Sequence, residues 1–352
     1  MNLLASRAGA AVLQVGVDGA ALRTLSGAVK AAHAGDTILV HDGTYGHETS
    51  VTGGDQADSA ISPVVLRRSG TPSAWITIKA EHKWGAILDC EMQCDSYIDL
   101  LNASYIVIQD FVIRRGYKEG IHSNDAAHHI VLRGNRIEDI ANRVSSSRYG
   151  LDGLYTNPNC HHFVIDGNIF RNIGRVGGAP NLDHGLYLRG RDFTVTNNIF
   201  YDFRSGWAIQ LADGLSNVLI ANNTFAFSDS QRTGQIMMWK QQSNLTIRNN
   251  IFYQPRGEAI TRHESSVRGS CAIDYNLTVG VESILADSRE CVLRGNRTAA
   301  TLEFVNSSRP PYDFHLRPGG AAAGAGSPDP ETPLDFDGRS RQGSRDVGAF
   351  RH

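Results

Sequence analysis

Two groups of side chains in this sequence have types and spacings that suit chemistry. Lys240 and Arg262 lie roughly 22 residues apart, close to one turn of a chain whose motif recurs every 25 to 33 residues. Stacked on neighbouring strands, they would stand on the order of 5 Å apart. The guanidinium then disfavours the ammonium, and a neutral lysine can take a proton from carbon. On a uronic acid that step is β-elimination. A cation must meet the carboxylate, with Arg189 or Arg262 as candidates, and an acid must protonate the leaving oxygen, with Tyr187 or His263 as candidates. The second group lies in YGLDGLY (149–155) and NLDHGLY (181–187). Aligned as copies, these bring Asp152 and Asp183 into register, with His184, Arg148 and Lys118 as neighbours. Two carboxylates could serve as acid and base in glycoside hydrolysis, could hold a cation such as Ca2+, or could cap a repeated turn before Gly153 and Gly185.

Both groups need elements that stack. An apolar strand that closes on Asn and a bulky apolar residue recurs as IVLRGNRI (130–137), FVIDGNIF (163–170), FTVTNNIF (193–200), VLIANNTF (218–225) and LTIRNNIF (245–252), with AIDYNL (272–277) as a weaker copy. A short motif at a drifting period of this size marks a solenoid. Period-two alternation of Val, Ile, Thr and Phe with polar residues makes the unit β. The markers are Asn135, Asn168, Asn198, Asn223, Asn250 and Asn276, with Phe111 in the equivalent place one turn earlier. Asn tolerates the backbone angles of a sharp corner, and stacked Asn side chains can pass amide hydrogen bonds along a column.

A second strand follows each Asn strand: IHSN (121–124), LYTN (154–157), LYLR (186–189), IQLA (209–212), MMWK (237–240) and AITR (259–262). Alternation predicts the first and third positions inward. The outward second positions are then His122, Tyr155, Tyr187, Gln210, Met238 and Ile260, and the outward fourth positions Asn124, Asn157, Arg189, Ala212, Lys240 and Arg262. Aromatic rings beside cations suit a groove for an acidic polysaccharide. A one-residue slip would instead turn Met238, Ile260, Lys240 and Arg262 inward, and elimination at this place requires Lys240 and Arg262 to stand together outside.

Residues 22–45 predict a short helix with Leu22, Leu25, Val29 and Ala32 on one face, placed to cover the open end of the coil. The coils extend to about 297, and the division expected is 1–309 for a β-helix with its N-terminal cap and 310–352 for an irregular C-terminal strap. The net charge of −2 gives no case for nucleic acid or an anionic membrane as partner, and no run is long enough for a membrane-spanning helix. Five cysteines are too few and too irregular for a disulfide scaffold; they read as buried thiols, although Cys271 and Cys291 lie about one coil apart and could pair. The N-terminus lacks a basic start followed by a long apolar run. Either the protein is not exported by that route, or a signal was removed and a Met added, which favours secretion or the periplasm. A monomer is expected.

AGDTILVHDGTY, the Asn-marked coils and the closing DFDG…DVGAF together resemble right-handed parallel β-helix proteins of the pectate-lyase type. That fold hosts lyases, hydrolases, epimerases and binding proteins. Within it, Lys240-Gln241-Gln242-Ser243-Asn244 and then Arg262-His263-Glu264 resemble the chondroitinase B and alginate lyase family, which carries Lys-Ser-x-x-Asn and, one coil later, Arg-His-Gly. Lys240, Asn244, Arg262 and His263 match; Gln241 and Glu264 depart. The resemblance implies Lys240 as base and Arg262 as its charge-stabilising partner. Many members hold calcium with acidic residues shortly before the Lys, where this chain has Thr233 and Gln235, so a metal-free reaction is expected. The expectation is therefore a polysaccharide lyase; a hydrolase using Asp152 and Asp183, a uronate C5-epimerase and a non-catalytic carbohydrate-binding β-helix are the alternatives.

Overall fold

Short strands follow one another, three to a turn, and wind into a right-handed parallel β-helix of roughly nine turns. The computed structural model describes residues 9–16, 20, 22–46, 62–142, 150–175, 182–228, 232–281, 283–301, 304–308, 310–328 and 331–352. The first sheet runs from Val64–Leu66 through Ile121–Asn124, Leu154–Thr156, Leu186–Leu188 and Ile209–Leu211. It ends on the leading halves of two long strands, Ile236–Arg248 and Ile260–Asp274. Their trailing halves continue the second sheet, which carries the Asn-closing strands His128–Arg133, His161–Asp166, Arg191–Thr196 and Leu215–Ala221. The third sheet stacks the short strands after each Asn.

The marker asparagines form one buried column. Nδ2 of Asn135, Asn168, Asn198, Asn223 and Asn250 each donates to Oδ1 of the next marker at 2.9–3.1 Å, and Asn276 extends the line to Asn296. Each Nδ2 also donates to a strand carbonyl of the preceding turn, as Asn198 does to Ile165 at 2.8 Å. At the start of the column Oδ1 of Asn135 accepts the N–H of Phe111. The unusual backbone angles belong to the preceding residue: Gly134, Gly167, Asn197, Asn222 and Asn249 have φ between 54° and 65°. The corner thus separates two tasks, a left-handed residue to turn the chain and an Asn to fill the corner's polar interior. The next residue but one completes the inner wall, where Phe170, Phe200, Phe225 and Phe252 stack at 4.9–5.1 Å.

Helix Leu25–Ala31 is capped by Thr24, whose hydroxyl accepts the N–H of Gly27. It buries Leu25, Ala28 and Val29 over the first strands of the coil. Among the described residues no helix is long and apolar enough to cross a membrane. The C-terminal segment covers the outside of the third sheet, packing Phe314, Val347 and Phe350 against Ile199, Ile251 and Leu277. The Gly348 N–H donates to the Asn249 carbonyl, and Arg341 donates to the Gly348 and Ala349 carbonyls. Phe304–Asn306 pairs with Asp313–Leu316, so the expected division at 309/310 falls between two paired strands.

Two expectations are corrected. Four of the cysteines are bridged, Cys90 to Cys94 and Cys271 to Cys291, and Cys160 alone is a buried thiol. In the last two coils of the first sheet the register is one residue away from that expected. Gln210 pairs with Met237 and Met237 with Thr261, so Met238 and Ile260 point inward and are fully buried.

Candidate active site

The outer face of the first sheet floors a groove of about 920 Å3. His122, Tyr155, Tyr187 and Gln210 are successive register partners along its floor. The rings of His122 and Tyr155 stand 5.3 Å apart, and Tyr155 stacks on Tyr187 at 5.5 Å with an interplanar angle of 15°. Beyond the register change the floor continues with Met237 and Thr261. Asn157 donates to Asn124, which donates to Asp99. Arg189 donates from Nη1 to the Tyr155 hydroxyl at 3.2 Å. These polar contacts brace the ring stack from one side.

The opposite wall comes from residues two places before each strand. Ile121, Leu154, Leu186 and Ile209 are register partners, which aligns Glu119, Asp152, His184 and Trp207 on four adjacent turns. Backbone bonds fix that alignment: Gly120 donates to the Asp152 carbonyl, Gly153 to His184 and Gly185 to Trp207. The intervening glycines are required by close approach. A Cβ on Gly153 would lie 2.6 Å from the Gly185 carbonyl oxygen, and one on Gly185 would lie 2.8 Å from the Phe203 ring.

This alignment corrects the pairing of Asp152 with Asp183. Asp152 stands across from His184, whose N–H donates to Asp152 Oδ1 at 2.9 Å. Asp183 points away into a structural clamp. It accepts from the backbone N–H, Nε and Nη2 of Arg175 at 2.6–2.9 Å and from the Ser205 hydroxyl. The Arg175 side chain is only 2% exposed. The carboxyl that neighbours Asp152 in the groove is Glu119, which the sequence reading missed. Its signal was the triplet EGI at 119–121, which has the form of DGL at 152–154 and HGL at 184–186.

The wall is electrostatically unusual. Burial pushes Glu119 up to about 8, reinforced by the charges of Asp95 and Asp99. Lys118 opposes that shift but is itself paired with Asp95 at 2.7 Å. Asp152 is buried and raised well above the usual carboxylate range, first by burial and then by the charge of Glu119. Burial lowers His184 to about 3, so its ring is neutral. His184 Nδ1 accepts the Trp207 N–H, which assigns the ring proton to Nε2. The ring lies between Trp207 and Tyr187, at 5.6 and 5.7 Å. Burial likewise raises Tyr187 and keeps its phenol protonated.

The Lys240–Arg262 pair does not form. Arg262 is the register partner of Met238, and a bulge interrupts the pairing after Trp239. Lys240 occupies that bulge at φ 56°, exposed, with Nζ 4.7 Å from the Trp239 ring at the groove rim. The Arg262 side chain is 6% exposed. It donates to the carbonyls of Ser265, Asp287 and Arg289 and to Glu290. The guanidinium therefore ties down the turn at 287–290. His263 is exposed and lines the groove beside Trp239. Glu264, where the resembled motif has Gly, adopts φ 49°, so the glycine-type backbone is kept without the glycine. Arg148 lies outside the described residues.

The family described as periplasmic copper-binding protein (NosD) matches residues 102–298. No curated protein matches the sequence. Among solved structures, an alginate lyase from Paenibacillus sp. str. FPU-7 is 18% identical, with a TM-score of 0.58 over 83% of this chain and 96% of that one. Pectate lyase Pel9A is 13% identical, with a TM-score of 0.62 over 97% of this chain and 96% of that one. At these identities the likeness is one of fold: a parallel β-helix of the pectate-lyase type.

Proposed function

The chain belongs to the family described as periplasmic copper-binding protein (NosD), and we propose that its groove binds an acidic polysaccharide and cleaves it by β-elimination. The observation that carries this reading is the wall of Glu119, Asp152 and His184 set beside the stacked rings of Tyr155 and Tyr187. Sugars pack against aromatic side chains, and Tyr155, Tyr187, Trp207 and Trp239 line the groove. A uronate carboxylate meeting a protonated Glu119 receives a hydrogen bond that offsets its charge. The C5 proton becomes more acidic as that charge is withdrawn.

The base in this reading is the Tyr155 oxygen as phenolate, the form that the donating Arg189 guanidinium favours; it takes the C5 proton and becomes a phenol. As the C5–H bond breaks, a C4–C5 double bond forms and the C4–O4 bond breaks. O4 takes a proton from Tyr187, whose phenol burial keeps protonated. Lys240 serves as a rim cation for the polymer rather than as the base. A panel of uronic-acid polymers tests the reading. Elimination yields an unsaturated product absorbing in the near ultraviolet. New reducing ends without that absorbance would assign hydrolysis to Glu119 and Asp152 instead, and saturable binding without product would leave a carbohydrate-binding groove.

Copper binding, the property in the family's description, is a second reading. A histidine cluster on the second sheet favours it; the groove does not.

A further inference from the structure

We propose that His128, His129, His161 and His162 form one binding site for a divalent transition-metal ion, with Cu2+ held more tightly than Zn2+. The inference rests on the second reading above and gives it a place, away from the groove. The four side chains open two consecutive strands of the second sheet, where His128 is the register partner of His161. The imidazoles of His128 and His161 stack at 4.6 Å and those of His129 and His162 at 4.5 Å, nearly parallel in both cases. Within each dipeptide the two Nδ1 atoms face each other, 2.8 Å apart in His128–His129 and 2.7 Å in His161–His162. One ring nitrogen each from His128, His129 and His161 falls within a 4.8 Å cluster. Metal–imidazole bonds are about 2.0–2.1 Å, so nitrogens on one ion stand roughly 3 Å apart. Small ring rotations would bring these donors onto a common ion. Imidazole donors suit copper, zinc and nickel, and the affinity order of such sites peaks at Cu2+.

The turn does not require histidine. The residue that follows the register position of His128 and His161 in each turn has a left-handed backbone: Tyr105, His129, His162, Asp192, Asn217 and Asn244, with φ between 52° and 61°. Asp and Asn are the residues that fill such a position at little cost. In the later turns they also form a side-chain ladder, Asn244 to Asn217 to Asp192, at 3.0 and 2.9 Å. The residues before them are Arg191, Ser216 and Ser243. Only two adjacent turns of this column carry His-His, and there the ladder gives way to four rings. Tyr105 stacks on His129 at 4.6 Å and closes one end of the cluster. Asp192 closes the other, with Oδ2 3.4 Å from His162 Nδ1. Arg191, the register partner of His161, also faces the cluster, and its charge is offset by Asp192 at 3.4 Å.

The test uses the full chain without an affinity tag, stripped with chelator and titrated with Cu2+ and Zn2+ by calorimetry, with electron paramagnetic resonance of the Cu2+ form. One ion per chain is expected, with nitrogen couplings from several imidazoles. The variant His129→Asn/His162→Asn takes the residue that later turns use at this position, so the fold is retained, as circular dichroism verifies. It is expected to bind Cu2+ at least about 100-fold more weakly and to lose the multi-nitrogen pattern. A variant that binds as tightly as the parent overturns the site while leaving copper binding standing. A parent chain that takes up neither ion at micromolar concentration overturns both.

Discussion

The His184 N–H donates to Asp152 Oδ1 at 2.9 Å, which puts these two residues, and not Asp152 and Asp183, side by side on the groove wall. From that contact follows the assignment of Glu119 as the neighbouring carboxyl and of Asp183 as part of the scaffold.

Glu119 stays protonated up to about pH 8 in the folded chain, chiefly because it is buried. An unfolded glutamate ionises near 4.3. Between those values the unfolded state binds fewer protons, so this residue makes the fold less stable as pH rises, and the loss is complete above about pH 8. Glu119→Gln is expected to match the parent near pH 4 and to exceed its stability by about 2 kcal/mol or more at pH 8. Urea unfolding at both pH values measures this. A difference that does not change with pH would show that the acid is not held neutral.

Tyr155→Phe removes the oxygen that Arg189 holds while keeping the stacked ring. Turnover of a uronic polymer, followed by near-ultraviolet absorbance, is expected to fall by about 100-fold or more with little change in KM. Lys240→Ala is expected to raise KM by less than about threefold and to leave kcat unchanged, because its exposed ammonium contributes only screened attraction. The reverse ranking would restore Lys240 as the base.

Asp183→Asn breaks a buried, multiply bonded pair and leaves Arg175 charged in the interior. A loss of about 3–5 kcal/mol is expected. Activity should survive at low temperature, where the variant remains folded, and disappear at its lowered Tm. Asp152→Asn should instead reduce activity at every temperature at which the protein is folded.

Asn198→Leu removes the donors to Ile165 and Asn223 and strands the Asn168 N–H groups that Asn198 accepts. Each buried orphan costs about 1–3 kcal/mol, so a total near 3 kcal/mol is expected by denaturant titration. The same change at the frayed end of the column, Asn296→Leu, removes fewer bonds from a more exposed place and should cost less than half as much.

Residue types alone determined the coil, its asparagine column and the ring row of His122, Tyr155 and Tyr187. Alternation of period two and a motif repeated turn after turn are local properties, and stacking carries them unchanged into three dimensions. Position along the last two turns was not local. Ile236, Met237, Met238 and Trp239 are all apolar, so the pattern does not choose which of them face inward, and a slip of one residue reverses every side chain. The pairing with neighbouring turns made that choice: Gln210 meets Met237 and Met238 meets Arg262, so Lys240 is already out of step with Arg262 before the bulge it occupies. Glu119 was hidden for a related reason: it sits before its strand, outside the alternating pattern, and only the stacking of turns brings it beside Asp152. Its protonation, too, belongs to the folded chain, because burial is set by what the neighbouring turns place around it.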